Sequence, residues 1–137
     1  MKNLEYYEAV GRRKKAIARV RLYIKSKSLK KGDFMINNHP LDKVYLESYK
    51  KDFILKPLSI TDNLNRFAIS VIVKGGGITG QMEAIVHGLA RALVLVDENY
   101  KPILKKFGFL TRDPRKKERR KVGTGGKARR EKQSPKR

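Results

Sequence analysis

A glycine-rich stretch is the part of the sequence with the clearest chemical potential. Residues 75–80 read Gly-Gly-Gly-Ile-Thr-Gly and satisfy GxGxxG, after a predicted strand and at the start of a predicted helix. A dinucleotide site also needs a second parallel strand after that helix, ending in an acidic residue. Asp97 and Glu98 lie near the right distance, but another helical segment follows them. We therefore reject a dinucleotide site, although backbone N–H groups at a helix start can still attract a phosphate, including that of RNA.

Side chains suited to catalysis or metal binding are sparse. The chain has no cysteine, and its two histidines, His39 and His87, lack carboxylate partners at metal-ligand spacing. The aspartates suit turns and helix caps, and the serines lack a nucleophile elbow. His87 is predicted to pack within its helix or to contact a partner. We predict no enzymatic activity, no metal, no cofactor and no small-molecule substrate.

Cations are the abundant chemical groups. The 137 residues include 34 Lys or Arg and 13 Asp or Glu, which gives a net charge of +21 and indicates a polyanionic partner. Residues 112–137 carry +10 of this charge and residues 1–111 carry +11. Within the body, a footprint suited to sugar-phosphate recognition comprises Arg12, Arg13, Lys14, Lys15, Arg19 and Arg21.

Apolar periodicity predicts four strands in the body. Residues 5–10 form the first, and the cationic link 11–15 leads to an alternating strand over residues 16–24. A short strand covers residues 33–36, and a central strand covers 67–74. The inward side chains of the second strand are predicted to be Ala16, Ala18, Val20, Leu22 and Ile24.

Three helical segments complete the prediction. The first runs from Pro40 to Leu55 and is stopped by Lys56-Pro57. The last covers residues 100–107, with Ile103 and Leu104 inward. The central helix carries apolar residues at helical spacing, namely Ile78, Met82, Ile85, Val86, Leu89, Leu93 and Val96. Polar residues interrupt this apolar run and argue against a membrane span. The sum is an α/β sandwich with helices on one face and a sheet face or edge left free.

The composition divides the chain at Thr111. Residues 1–111 are predicted to form a globular RNA-binding domain. Residues 112–137 contain almost nothing apolar and include two prolines and three glycines. We predict an extended basic tail that becomes ordered only against a partner. The N-terminus shows no targeting segment, so we expect a cytoplasmic protein without a membrane partner.

Motifs along nearly the whole chain resemble one known family. The motifs are the stretches 11–20, 36–37, 40–42, 73–77, 80–81, 84–85, 87–93, 110–115, 118–119, 128–130 and 136–137. In order and spacing they resemble the universal S-nine family of small-subunit ribosomal proteins, in its bacterial or organellar form. The sequence departs from the family at Gln133-Ser134-Pro135, where an aromatic residue before the tip is missing.

The resemblance implies an α+β fold, a two-layer α/β sandwich like the second domain of ribosomal protein S-five, with a long extended basic tail. It implies a structural protein in the head of the small subunit, within cytoplasmic or organellar ribosomes. Its partners would be rRNA, neighbouring head proteins and the anticodon stem-loop of P-site tRNA. Lys136 and Arg137 would contact that tRNA. The residues expected to bind rRNA are Arg12, Arg13, Lys14, Lys15, Arg19, Arg21, Lys74, Gly75, Gly76, Gly77, Gln81, His87, Arg91, Arg112, Arg115, Lys116, Arg119, Arg120, Lys121, Lys127, Arg129 and Arg130.

Two other interpretations fit the composition. A free-standing basic protein that compacts DNA would need a dimer interface or a groove-reading element, and the sequence indicates neither. A phosphate-binding enzyme built on the glycine stretch would need an acid, a base or a metal set, which the sequence lacks.

Overall fold

The computed structural model describes residues 6–120 and residue 122. In this part of the chain the elements are β1 (Tyr6–Arg13), β2 (Ala16–Tyr23), β3 (Phe34–Ile36), β4 (His39–Pro40), α1 (Leu41–Val44), α2 (Ser48–Ile60), β5 (Ala68–Lys74), α3 (Ile78–Val96) and α4 (Tyr100–Lys106). The strands form one sheet in the order β1-β2-β5-β3-β4. Only β3 and β5 pair in parallel, so the described fold is of the mixed α+β class.

One face of this sheet is covered by helices and the other is open. On β2, the side chains of Ala16, Ala18, Val20 and Leu22 are fully buried, as the alternation predicts. They form one core with buried residues of β5, α2 and α3. The next residues on β2 point to the open face, where Ile17 remains 48% exposed. None of the helices among the described residues is long and apolar enough to cross a membrane.

Helix α3 approaches β1 so closely that glycine is required on both elements. A Cβ atom added to Gly11 would lie 1.9 Å from the Ala84 carbonyl oxygen and 2.2 Å from the Gly88 nitrogen. A Cβ atom on Gly88 would lie 2.9 Å from the Gly11 nitrogen. Since real atoms cannot approach backbone so closely, Gly11 and Gly88 set the helix–sheet distance at this crossing.

The described residues form five strands, one more than the four strand segments that the sequence predicts. The missed strand, β4, pairs His39 with Ile36 and Pro40 with Met35. Asn37 and Asn38 connect β3 to β4 with φ angles of 49° and 66°, values that two-residue hairpins favour and that asparagine tolerates. Pro40 therefore ends a strand and caps α1, and it lies outside the first turn of that helix.

The predicted helix from Pro40 to Leu55 is also wrong at both ends. It is two helices, because the buried Tyr45 adopts extended backbone angles between α1 and α2. Helix α2 then continues through Pro57 to Ile60. Proline cannot donate a backbone hydrogen bond within the helix, and burial of Pro57 and Leu58 offsets the free energy lost with that bond. The Thr61 hydroxyl also donates to the Pro57 carbonyl at 2.9 Å.

Smaller differences occur at the ends of elements. Strand β1 extends to Arg13, so the tight connection to β2 is only Lys14-Lys15. Ile24 lies beyond the end of β2 and is 42% exposed, contrary to the predicted inward position. In α4, Leu104 is buried as predicted, but Ile103 is 41% exposed. The central position of β5 and the course of α3 are confirmed.

Candidate nucleic-acid interface

Two loops meet at one end of the sheet. A Cβ atom on Gly75 would lie 2.6 Å from the Lys15 carbonyl oxygen, and one on Gly76 would lie 3.0 Å from the Ala16 nitrogen. Gly75 and Gly76 also have φ angles of 73° and 68°, which disfavour any side chain. The tip of the β1–β2 hairpin therefore packs directly on the glycine loop. We call the exposed surface formed by residues 14–15 and 74–77 the glycine-loop surface.

This surface presents backbone donors and cations to solvent. Gly77 is the N-cap of α3 and has no side chain to cap the helix. Apart from its two neighbours in the chain, none of the described residues has an atom within 4 Å of a Cβ position on Gly77. Lys14, Lys15 and Lys74 are exposed beside it. Gln81 supports the loop, since its side-chain amide donates to the Gly75 carbonyl at 3.1 Å. Uncapped N–H groups at the positive end of a helix, together with lysines, suit a phosphate.

The open sheet face adjoins the glycine-loop surface and mixes cations with apolar side chains. Lys74 pairs across the strands with Ile17, and Arg19 pairs with Ile72. Ile72 is 38% exposed. Arg12 is also exposed, at the same end of the sheet. Such a surface can contact phosphates through its cations and sugars or bases through its apolar groups.

Arg21, a further cation of this face, already has an acidic partner. Its guanidinium donates to the Glu8 carboxylate at 2.5 Å and lies 4.7 Å from the centre of the Tyr6 ring. The hydrogen bond with Glu8 raises the pKa of Arg21. Arg21 therefore contributes less free charge to the face than Arg19 does.

Three residues expected to bind rRNA join β1 to α3 and to the segment after α4. Arg13, whose side chain is only 12% exposed, forms an ion pair with Glu83 of α3. Arg91 donates to the Val10 carbonyl at 2.6 Å. His87 accepts a hydrogen bond at Nδ1 from the Arg12 backbone N–H at 3.2 Å. Contact of these side chains with rRNA stays a prediction, whereas their role in docking the helix is visible.

The environment of His87 predicts a pH effect on stability. Burial lowers the pKa of His87, the charges of Arg91 and Arg112 lower it further, and a backbone hydrogen bond with Leu110 opposes them. A histidine whose pKa falls on folding stabilises the fold above its unfolded pKa of about 6.5. That contribution is lost as the pH falls through the lower pKa of the folded state.

We therefore expect the melting temperature to fall by a few degrees between pH 7.5 and pH 5, and this fall to shrink in His87→Asn. The asparagine oxygen can accept the Arg12 N–H without titrating. Thermal melts at several pH values provide the measurement, and the variant should match wild type near pH 7.5. An unchanged pH dependence in His87→Asn would assign the effect to other groups.

The remaining predicted contacts lie in the C-terminal part. Arg112, Arg115, Lys116, Arg119 and Arg120 are exposed and belong to a segment without helix or strand. Arg115 is paired with Asp113 at 2.8 Å. The residues Lys121, Lys127, Arg129, Arg130, Lys136 and Arg137 lie outside the described part of the chain.

Sequence reasoning missed two acidic residues that organise this region. Glu83 and Asp113 both approach the guanidinium group of Arg13. Glu83 is the one acidic residue of α3, and that is the signal that could have identified it. The geometry also agrees with rejection of a dinucleotide fold, because α3 is followed by α4 where a parallel strand would be needed.

The sequence matches one protein-family model over most of its length. The family model described as Ribosomal protein S9/S16 matches residues 11–137, and so includes both the basic body and the basic C-terminal part. Members of this family are structural, rRNA-binding proteins of the small ribosomal subunit and act in translation. The match covers more than nine-tenths of the sequence, and the chain belongs to the ribosomal protein S9/S16 family.

Proposed function

We propose that the chain binds rRNA in the head of the small subunit through two surfaces and contacts P-site tRNA with its C-terminal tip. The first surface is the glycine-loop surface together with the open sheet face. The second is the basic segment from Arg112 onward, whose final residues, Lys136 and Arg137, would contact the anticodon stem-loop.

The distribution of charge carries this proposal. Nearly half of the net charge lies in the last 26 residues, and these contain only two apolar residues other than glycine and proline, Val122 and Ala128. Such a segment cannot build a core of its own, and its natural stabilising partner is a polyanion. A narrow chain can also enter a crowded RNA interface that the folded body cannot reach. Family membership favours rRNA over the alternative of free-standing DNA compaction.

The body offers a different kind of contact. Its exposed lysines surround uncapped helix N–H groups, and Gly77 leaves space for close approach of a phosphate. These donors are fixed by the packing of two loops, so they lose little conformational entropy on binding. Flexible cations supply affinity and rigid donors supply orientation.

The tip proposal is tested by deleting Lys136 and Arg137. We expect small subunits to incorporate the shortened protein normally but to bind P-site tRNA about tenfold more weakly, because two charge-assisted contacts are lost. Filter binding of tRNA to purified subunits gives the measurement. Lys30→Ala/Lys31→Ala removes the same charge from an exposed turn and should bind tRNA normally. Wild-type tRNA retention by the shortened protein would refute the tip contact.

A further inference from the structure

Arg13 connects three parts of the molecule through one guanidinium group. Its Nε donates to the Glu83 carboxylate on α3. Its Nη1 donates to the Arg115 carbonyl oxygen at 2.6 Å, and its Nη2 lies 3.5 Å from the Asp113 carboxylate. The Arg13 side chain is 12% exposed and those of Glu83 and Asp113 are about one-third exposed, so the Arg13 guanidinium, but not every partner, is shielded from water.

Few other contacts hold the segment that follows α4. Phe109 and Leu110 pack against the core. In the described part of the chain, they are the last partly buried apolar residues of this segment. A cavity of about 190 Å³ lies beside the segment, lined by residues that include Phe53, Val86 and His87. Beyond Leu110 the position of the described chain therefore depends on polar contacts, and Arg13 supplies those that reach the body.

Residues 113–115 form a pre-shaped unit. The Asp113 carboxylate accepts from the Arg115 backbone N–H at 3.0 Å and from the Arg115 guanidinium at 2.8 Å. Pro114 between them has a fixed φ angle. The hydrogen bonds from Arg115 hold the pKa of Asp113 well below its usual range, and the charge of Arg13 contributes further. The unit therefore remains ionised at neutral pH and presents the Arg115 carbonyl to Arg13.

We propose that Arg13, oriented by Glu83 and bound to Asp113 and Arg115, anchors the basic C-terminal segment and fixes where it leaves the body. We call this group of residues, Arg13, Glu83, Asp113 and Arg115, the tail anchor. The inference rests on the proposed binding of rRNA by the C-terminal segment. Eleven Lys or Arg and two acidic residues follow Arg115, and anchoring their starting point lowers the entropy lost when they meet rRNA. Arg13 is thus a positioning residue for RNA binding.

The substitution Asp113→Asn separates anchoring from bulk charge. It removes one negative charge, so electrostatic attraction alone would tighten rRNA binding. Loss of the anchor should instead weaken binding about tenfold. Glu98→Gln makes the same charge change at an exposed position and should tighten binding slightly or leave it unchanged. Equal or tighter binding by Asp113→Asn would overturn the proposal.

A chain ending at Arg115 distinguishes failure of the anchor from failure of the proposed function. In that shortened chain Asp113→Asn should no longer weaken rRNA binding, because no basic segment remains to be oriented. If the shortened chain binds as tightly as the full chain, the proposed role of the segment is wrong. If the shortened chain binds rRNA more weakly but full-length Asp113→Asn binds as tightly as wild type, the anchor is wrong and the proposed role of the segment stands.

A distance measurement gives a readout independent of RNA. The chain has no native cysteine, so spin labels can be attached at Glu98→Cys and Lys117→Cys without background. We expect a narrow distance distribution in the otherwise unchanged protein and a broad one when Asp113→Asn is added. Distributions of equal width would contradict anchoring. Circular dichroism of the same samples verifies that the body remains folded.

Discussion

Ending the chain at Arg115 is expected to weaken binding to small-subunit rRNA by at least about a hundredfold at 0.1 M salt. The truncation removes eleven Lys or Arg and two acidic residues but retains the tail anchor. Each phosphate contact contributes about 0.7 to 0.9 to the slope of log affinity against log salt concentration. If half of the removed cations contact phosphate, the slope should become shallower by about four.

Filter binding or fluorescence anisotropy over a range of salt concentrations measures both quantities. The appropriate control is Lys30→Ala/Lys31→Ala, which removes two exposed cations from the connection between β2 and β3 and should keep a slope close to that of wild type. If the shortened chain retained the wild-type slope, the C-terminal segment would make no phosphate contacts, and the body alone would account for RNA binding.

Gly11→Ala is expected to destabilise the body by at least about 3 kcal/mol. The new methyl group would lie 1.9 Å from the Ala84 carbonyl and 2.2 Å from the Gly88 nitrogen, and both are helix backbone atoms that cannot move alone. Helix α3 would have to shift away from β1, which would open the contact between Gly11 and Gly88. The same shift would disturb the contacts of Arg13, His87 and Arg91.

Thermal melting and urea titration give the measurement, with an expected fall in melting temperature of about 10 °C. Gly77→Ala is the matched control, because its added methyl group would meet no other part of the described chain within 4 Å and its φ angle is −98°. It should cost less than about 1 kcal/mol, the usual effect of alanine at a helix N-cap. Equal stability of the two variants would show that α3 does not depend on the close approach at Gly11.

The sequence predicts best where one pattern determines both conformation and burial. Alternation places Ala18 and Val20 in the core and Arg19 on the open face, as observed. The prediction fails where a local rule competes with packing. Pro57 normally ends a helix, yet burial of its ring and of Leu58 keeps α2 intact. The short strand β4 was missed because two residues carry no periodicity.

For the interface, residue type indicates a polyanion partner, but only the structure distinguishes exposed cations from structural ones. Arg12 and Arg13 are adjacent in an unbroken basic run, yet Arg12 is exposed and Arg13 forms an ion pair with Glu83. Strand alternation explains the difference, since successive side chains point to opposite faces. The contact of Arg13 with Arg115 joins residues 102 positions apart, a relation that a local pattern cannot encode.

Charge in the body and charge in the C-terminal segment are thus proposed to act through different physical means. Lys14, Lys15 and Lys74 lie on loops whose backbone is fixed by Gly75 and Gly76. In the proposed account, the cations beyond Arg115 follow one anchored point and become ordered on binding rRNA. We therefore predict that substitutions in the body change the position of the protein on rRNA. C-terminal truncations should mainly change the affinity for rRNA and its salt dependence.

The most direct test of the central claim is electron cryomicroscopy of small subunits that carry this protein and P-site tRNA. We predict that the glycine-loop surface lies against rRNA phosphates and that Lys136 and Arg137 lie within ion-pair distance of phosphates in the anticodon stem-loop. A map that placed the glycine-loop surface in solvent and the two terminal residues away from the tRNA would contradict the proposed function.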